Sequence, residues 1–318
     1  MSLTPALPQF VAMGEALTDM IREAPHSQRW LARSGGSGWN VARAAAALGL
    51  RSAFAGAISQ DCFGDELWRD SEASGLDLRF LQRVDKAPLL AMVPQAHPPH
   101  YFFVGENSAD LDFDPELLPA GWSEQASWVH FGGISLARPP LSQRLIALAS
   151  SLAARGLNIA YDPNHRKAMG EDYRASFEQM CRIASIIKLS DEDLAALMPG
   201  MEADAALKLL RSWNPEAWWL YTEGAAGASL YAPNGTWQAK PPAIELVDTV
   251  GAGDAAMAGL LASRMQAGTA RTPAQHLAFA VAAGSAACTL AGAQAPSLKQ
   301  VMALMPQVRL VSGEAAAT

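Results

Sequence analysis

Charge is scarce in this chain, at 17% of 318 residues, and it is spread rather than blocked. The 24 Lys and Arg residues are scattered among 31 acidic ones, no five like charges run together, and the net charge is −7. That pattern argues against a nucleic-acid surface or a basic membrane-binding face. A small anionic ligand stays open, because main-chain N–H groups at a helix start hold phosphate without net positive charge. Cysteine is scarcer still. Cys62, Cys181 and Cys288 form no CxxC pair, so neither a zinc knuckle nor a disulfide framework can be read. They are expected to be small buried hydrophobes in a reducing cytoplasm. The first residues, MSLTPALPQFVAMG, lack the basic start and apolar stretch of a signal peptide. Residues 277–295 carry no charge over nearly the length of a membrane span, but they are rich in Ala, Gly and Ser rather than Leu and Ile. A close-packed helix against a sheet is the better expectation, in a soluble cytoplasmic protein.

Apolar residues make up 50% of the chain, which excludes disorder and promises a large core. Short β-branched and aromatic runs alternate with longer Ala/Leu-rich stretches. PQFVAMG, SAFAGAI, WVHFGGI, NIAYDPN, IASIIKLS, EAWWLYTEG and GASLYAP read as strands. NVARAAAALGL, DELWRDSEASGL and LSQRLIALASSLAARGL read as helices closed by glycine. Continuous apolar strands separated by helices predict a mostly parallel sheet covered on both faces, in one domain over 1–318. Residues 15–35 and 86–112 break the rhythm with prolines and short alternating pieces, as a β-rich lid would. His97-Pro98-Pro99-His100 reads as a turn in that lid rather than a metal site, Trp218-Trp219 as core, and the terminal GEAAAT as a frayed tail.

The strongest chemical signal is Asp248-Thr249-Val250-Gly251-Ala252-Gly253-Asp254, preceded by IELV, read as a strand, and followed by an alanine-rich helix. Gly251 and Gly253 let the backbone turn so that N–H groups converge at the helix start, where they and the helix dipole favour an anion. A carboxylate there would repel bound phosphate, so Asp254 is suited to taking a proton from a hydroxyl that attacks phosphorus. The alternative, Asp254 as a helix cap alone, stays open on these residues. A dinucleotide-binding fingerprint fails, because no Asp or Glu occurs in residues 255–313 to hold a ribose. No GxxxxGK[ST] sequence is present either. A second signal is Gly35-Gly36-Ser37-Gly38-Trp39-Asn40, a glycine-rich turn entering a helix. Its glycines permit close approach of a ligand, and Asn40 offers a donor and an acceptor to sugar hydroxyls.

Together the two signals resemble the ribokinase-type (PfkB) sugar kinases, over nearly the whole chain. The resemblance implies a three-layer α/β sandwich with a small β-sheet lid. Gly56, Asp61 and Gly64 match the family's next loop, Thr222-Glu223-Gly224-Ala225-Ala226-Gly227 its nucleotide loop, and Gly292-Ala293 a glycine near the adenine and cation sites. GEALTD at 14–19, SAD at 108–110 and DPNHR at 162–166 resemble fructokinases. The resemblance implies Asp254 as base, with Gly251, Ala252 and Gly253 holding the transferring phosphoryl group. It implies a sugar held by Asp19, Gly35, Gly36, Asn40, Phe103, Asn164 and Arg166. ATP would be held by Lys188, Ser190, Thr222, Gly224, Gly227 and Val281. Mg²⁺ would come near Asp193, and K⁺ near Asp248 and Val250. Ser190 and Asp193 replace the family's Asn and Glu, Val104 and Gly105 stand where many fructokinases have Arg, and no acid occurs around residues 132–135. That last absence counts against ribose. The expected reaction is ATP-dependent phosphorylation of a primary hydroxyl, of fructose before 2-keto-3-deoxygluconate, a nucleoside or aminoimidazole riboside. A sugar- or nucleotide-binding regulator without turnover is the alternative of another class. An open lid edge of this kind is a place where two copies can pair into a homodimer.

Overall fold

The computed structural model describes residues 6–95 and 100–315. In chain order its elements begin with β1 (Phe10–Met13), β2 (Leu17–Arg22), β3 (Trp30–Gly35), α1 (Ser37–Ala47), β4 (Ser52–Ser59) and α2 (Cys62–Ala73). Next come β5 (Leu81–Val84), β6 (Leu90–Gln95), β7 (His100–Val104), α3 (Trp122–Gln125), β8 (Trp128–Gly132), α4 (Leu141–Ala154) and β9 (Asn158–Asp162). They are followed by α5 (Tyr173–Ile183), β10 (Ile186–Ser190), α6 (Asp191–Leu197), α7 (Ala203–Trp213), β11 (Trp218–Thr222), β12 (Ala228–Ala232) and β13 (Gly235–Lys240). The last are α8 (Ala252–Ala267), α9 (Pro273–Ala287), α10 (Leu298–Leu304) and β14 (Arg309–Ala315).

Ten strands form one sheet in the order β14-β13-β12-β11-β10-β9-β8-β1-β4-β5. From β11 to β5 every pairing is parallel, and β12, β13 and β14 add an antiparallel edge. Strand alternation divides the core in two. Val11, Val129, Ile159 and Ile187 face one way with residues of α4, α5 and α7. Phe10, Trp128, Ala160 and Ile186 face the other, against α1, α8 and α9. The small residues of α8 and α9 are what let these helices meet closely: a Cβ on Gly259 would lie 2.7 Å from that of Ala283. The uncharged stretch at 277–295 is thus mostly the buried helix α9, and among the described residues no helix is long and apolar enough to cross a membrane.

The two irregular segments build a separate sheet, β3-β2-β6-β7. Pro94, which has no N–H for the ladder, lies where the β6–β7 register shifts. Arg138, on the loop before α4, donates to the Asp110 carboxylate and to the Gly105 carbonyl, so the chain leaving β7 is fastened to the body.

Four expectations need correction or fall outside view. IELV forms no strand: it follows Pro241 and Pro242, exposes Leu246 and Val247, and is tied instead by N–H groups of Val247 and Asp248 to the Cys288 carbonyl at the end of α9. The start of GEAAAT is not frayed, because residues 313–315 pair with β13 as the end of β14, and 316–318 lie outside the described residues. Cys62 is exposed, as the first residue of α2 beside its cap Asp61; Cys181 alone is fully buried. Of the proposed lid turn, His97, Pro98 and Pro99 lie outside the described residues.

One buried histidine gives the stability a pH dependence. His130 sits on β8 between Ala12 and Ala160, fully buried, with neither ring nitrogen hydrogen-bonded. Burial, then the nearby Lys188 charge, pushes its pKa down to about 3. The unfolded chain, with His near 6.5, therefore binds the extra proton between those values, and stability falls as pH drops below 6.5. His130→Leu should remove about 2 kcal/mol of the wild-type loss between pH 7.5 and pH 5, read from urea unfolding at both. An unchanged pH difference would mean the histidine titrates normally in the fold.

Candidate active site

The ends of the parallel strands deliver the site. Gly251 caps α8 at φ 79°, a left-handed conformation that glycine tolerates, and a Cβ there would meet the main chain of Ala293 at 3.0 Å. The N–H groups of Gly253 and Asp254, in the first turn, have no acceptor within the helix, whereas that of Ala252, expected to hold the phosphoryl group, is given to the Thr249 carbonyl at 3.2 Å. Asp254 lies in that turn, buried. Its Oδ1 accepts from Ser37 Oγ at 2.8 Å and its Oδ2 from Asn40 Nδ2 at 2.9 Å, both on the first turn of α1. Burial raises the Asp254 pKa, opposed by the hydrogen bonds from Asn40 and Ser37 and by the charges of Lys188 and Arg166. The other amide atom of Asn40, Oδ1, is buried without a partner.

Lys188 stands on β10 with its ammonium against Gly253, where a Cβ would be 3.2 Å from Nζ. It donates to Asp162 Oδ2 at 2.8 Å, and both side chains are buried. Burial pulls the Lys188 pKa down, but Asp162, Asp193 and Asp254 outweigh it and the net direction is up. Asp162 is pushed up to about 6 by burial, against the pull of Lys188. Its second oxygen accepts from the N–H of Asn164, which adopts φ 41°, and this turn leads to Arg166. The Arg166 guanidinium donates to the carbonyls of His165 and Asn164 and lies 5.6 Å from the Tyr101 ring of the lid.

From the lid, Asp19 on β2 packs against Gly35: a Cβ there would come within 2.3 Å of its carboxylate. Burial takes its pKa to about 6, countered by Arg166 and reinforced by Asp254. Gly36, at φ 114°, turns the chain into α1 where a Cβ would strike the Glu15 carbonyl at 2.3 Å. Phe103 is half-buried on β7 and packs against the body core.

The remaining sequence-chosen residues are in differing states. Asp193 and Ser190 form a reciprocal cap on α6, and Asp193 Oδ1 also accepts from the His165 N–H at 2.7 Å, so both its oxygens are engaged. Thr222 is in register beside Ser190. The Gly224–Ala226 turn follows, and Gly227, at φ 123°, sits where a Cβ would clash with the Ala239 carbonyl. Asp248 ties two loops by accepting from the N–H groups of Val250, at 3.1 Å, and Gly292, at 2.8 Å. Val281 lies in α9 within the core beside α8.

Ser37 and Glu15 went unassigned in the sequence. Ser37 gave no signal beyond its place between glycines. Glu15 approaches residues 132–135, which carry no acid of their own: it accepts from Ser135 Oγ at 2.6 Å and from the Ser135 N–H at 3.2 Å. Among the described residues no three His, Cys, Asp or Glu side chains are grouped to hold a metal ion.

The profile of the pfkB family carbohydrate kinases matches residues 8–300. A fructokinase of Klebsiella pneumoniae is 30% identical over 293 residues, which cover 88% of this chain and 93% of that one. The fold is similar to that of a fructokinase with bound ATP from Xylella fastidiosa, at a TM-score of 0.84 and 26% identity, over 94% of this chain and 99% of the other. It is similar as well to a fructokinase from Vibrio cholerae O395 in its fructose-, ADP- and calcium-bound form, at a TM-score of 0.83 and 25% identity, with 94% and 99% covered.

Proposed function

The chain belongs to the pfkB family of carbohydrate kinases, and from that premise we propose that it transfers the γ-phosphoryl group of ATP to a primary hydroxyl of fructose. The observation that carries this reading is the pairing at Asp254 and Asn40. A buried carboxylate stands in the first turn of α8, beside a buried amide oxygen that lacks a donor. A sugar hydroxyl supplies such a donor, and a carboxylate is the acceptor its proton needs. Asp254 takes the proton as the sugar oxygen bonds to phosphorus and the bond from phosphorus to the departing ADP oxygen breaks. The N–H groups of Gly251 and Gly253 and the Lys188 ammonium counter the charge on the phosphoryl oxygens, while the N–H of Ala252 stays with the Thr249 carbonyl. Asp19, Gly35, Gly36, Asn164, Arg166 and Phe103 surround the sugar, and Arg166 offers a planar fork of donors. Ser190, Thr222, Gly224, Gly227 and Val281 lie toward the nucleotide. Closure of the lid over 15–35 and 86–112 keeps out water, which competes as phosphoryl acceptor.

The donor set fits a divalent cation that travels on the ATP phosphates rather than one caged by protein. Asp193, with both oxygens engaged, would touch Mg²⁺ only through water. The main-chain carbonyls of Asp248 and Val250 are hard oxygen donors suited to K⁺, while the Asp248 carboxylate, with both oxygens holding N–H groups, sets the shape of the loop before α8. Phe102 and Val104, about half exposed on the outer face of the lid, suit contact with a second copy, and the scattered charge suits neither nucleic acid nor membrane.

A coupled assay for ADP release over about 20 sugars and nucleosides tests the acceptor. Fructose should stimulate release at least about tenfold above the sugar-free background, and ribose less, on the scale set by a few lost hydrogen bonds. A higher kcat/KM for a nucleoside, aminoimidazole riboside or a keto-deoxy sugar acid would reassign the substrate and leave the phosphoryl-transfer chemistry standing. No turnover with any acceptor would favour the non-catalytic regulator.

A further inference from the structure

We propose that Ser37 is a positioning residue for the base: its hydroxyl donates to Asp254 Oδ1 and holds that carboxylate turned toward the substrate hydroxyl. The inference rests on the proposed role of Asp254. Ser37 is the first residue of α1, with Gly36 at the cap, and it is buried. Its hydrogen bond of 2.8 Å spans 217 residues of sequence, so it is a tertiary contact and not part of the local turn. Asp254 in turn is the acceptor for Ser37, and the cap of α1 uses no side chain, which leaves the hydroxyl free for this contact.

A carboxylate can rotate about its last bond. Asn40 fixes one oxygen from one side, and a single partner leaves that rotation open. Ser37 fixes the other oxygen, and two donors from one helix turn define the carboxylate plane. Each donor stabilises the charged, proton-accepting form. The charged groups that also face Asp254 come from other elements: Lys188 on β10, Arg166 after β9, Asp162 on β9 and Asp19 on the lid strand β2. The two cations favour ionised Asp254 and the two acids oppose it, so removing Ser37 is not masked by one dominant neighbour. A loss of the Ser37 donor should both loosen the base and raise the pH at which it ionises.

The test is kinetic. Ser37→Ala should lower kcat about tenfold, the worth of one hydrogen bond to a charged group, with KM for sugar and ATP within twofold of wild type. The acid limb of kcat/KM should move up in pH by about half a unit or more. Ser37→Thr, which keeps a hydroxyl, should recover part of both, and circular dichroism with thermal melting confirms that each variant is folded. In an Asp254→Asn background, Ser37→Ala should cost nothing further. An acid limb and kcat unchanged in a folded Ser37→Ala enzyme would overturn the proposal, as would a raised sugar KM with normal kcat, which would put Ser37 on the substrate. A full tenfold loss in the Asp254→Asn background would do the same. If Asp254→Asn itself retains activity, the reading beneath the proposal has failed instead.

Discussion

Asp254→Asn should cut kcat by about 10²–10⁴-fold, the usual worth of a general base, while KM for ATP stays close to wild type. The substitution keeps the shape of the side chain and removes only its capacity to hold a proton. The surroundings accept the amide: its oxygen can receive Asn40 Nδ2, and its new N–H can be given to Ser37 Oγ, which has lone pairs as well as a proton. The first turn of α8 should therefore survive, and the melting temperature should hold or rise, because burial already disfavours the charged form of this group. ATP should bind as well as before or more tightly, since a neutral amide no longer repels phosphate. Steady-state kinetics and nucleotide titration on the same preparation decide the matter. Turnover within threefold of wild type would reduce Asp254 to a structural role, since the amide keeps hydrogen bonds to both Ser37 and Asn40.

The body of the fold was readable because period and composition agreed there. The strand runs of β1, β4, β8 and β9 are mostly apolar and almost wholly buried, as strands covered on both faces must be, and glycines close the helices between them. IELV misled for the same reason. It has the composition of a strand, but two prolines precede it and the N–H of its last residue, Val247, is taken by a helix end, so tertiary position overrode local preference. The tail misled in the opposite sense. Gly313, Glu314 and Ala315 carry no strand signal of their own and are ordered by the β13 edge they pair with.

The site was legible where a local backbone shape was needed. Gly35, Gly36, Gly251 and Gly227 each occupy a place where a Cβ would meet another atom at 3.0 Å or less, and glycine at such a place leaves a mark in the sequence. Contacts between distant side chains leave none. Glu15 meets Ser135 across 120 residues and Ser37 meets Asp254 across 217, and nothing in either segment alone announces the partner. Asp162 was visible within its motif, but not its partner: only parallel pairing of β9 with β10 sets it beside Lys188.

That pair carries the second large effect. Lys188→Met should destabilise the fold by about 3–5 kcal/mol at pH 7.5, because it strands a buried carboxylate at Asp162. The penalty should shrink as the pH is lowered. Burial already lifts Asp162 to about 6 with its partner present, and without the ammonium its folded pKa goes higher still. The folded variant then binds a proton that the unfolded chain, near 3.9, does not, so acid favours the fold through this group. Denaturant midpoints at pH 7.5 and pH 5 should therefore lie farther apart from wild type at the higher pH. Adding Asp162→Asn removes the stranded charge and keeps an acceptor for the Asn164 N–H, so the double variant should recover much of the lost stability. It should not recover activity. The ammonium beside Gly253 is then still missing from the place where phosphoryl charge develops, and kcat should stay down by about 10²–10³-fold, as when an oxyanion donor is removed. Stability and turnover thus separate across the three variants: a double variant that regains both would make Lys188 no more than a counter-ion to Asp162, and a single variant as stable as wild type at pH 7.5 would mean the pair is solvated in solution.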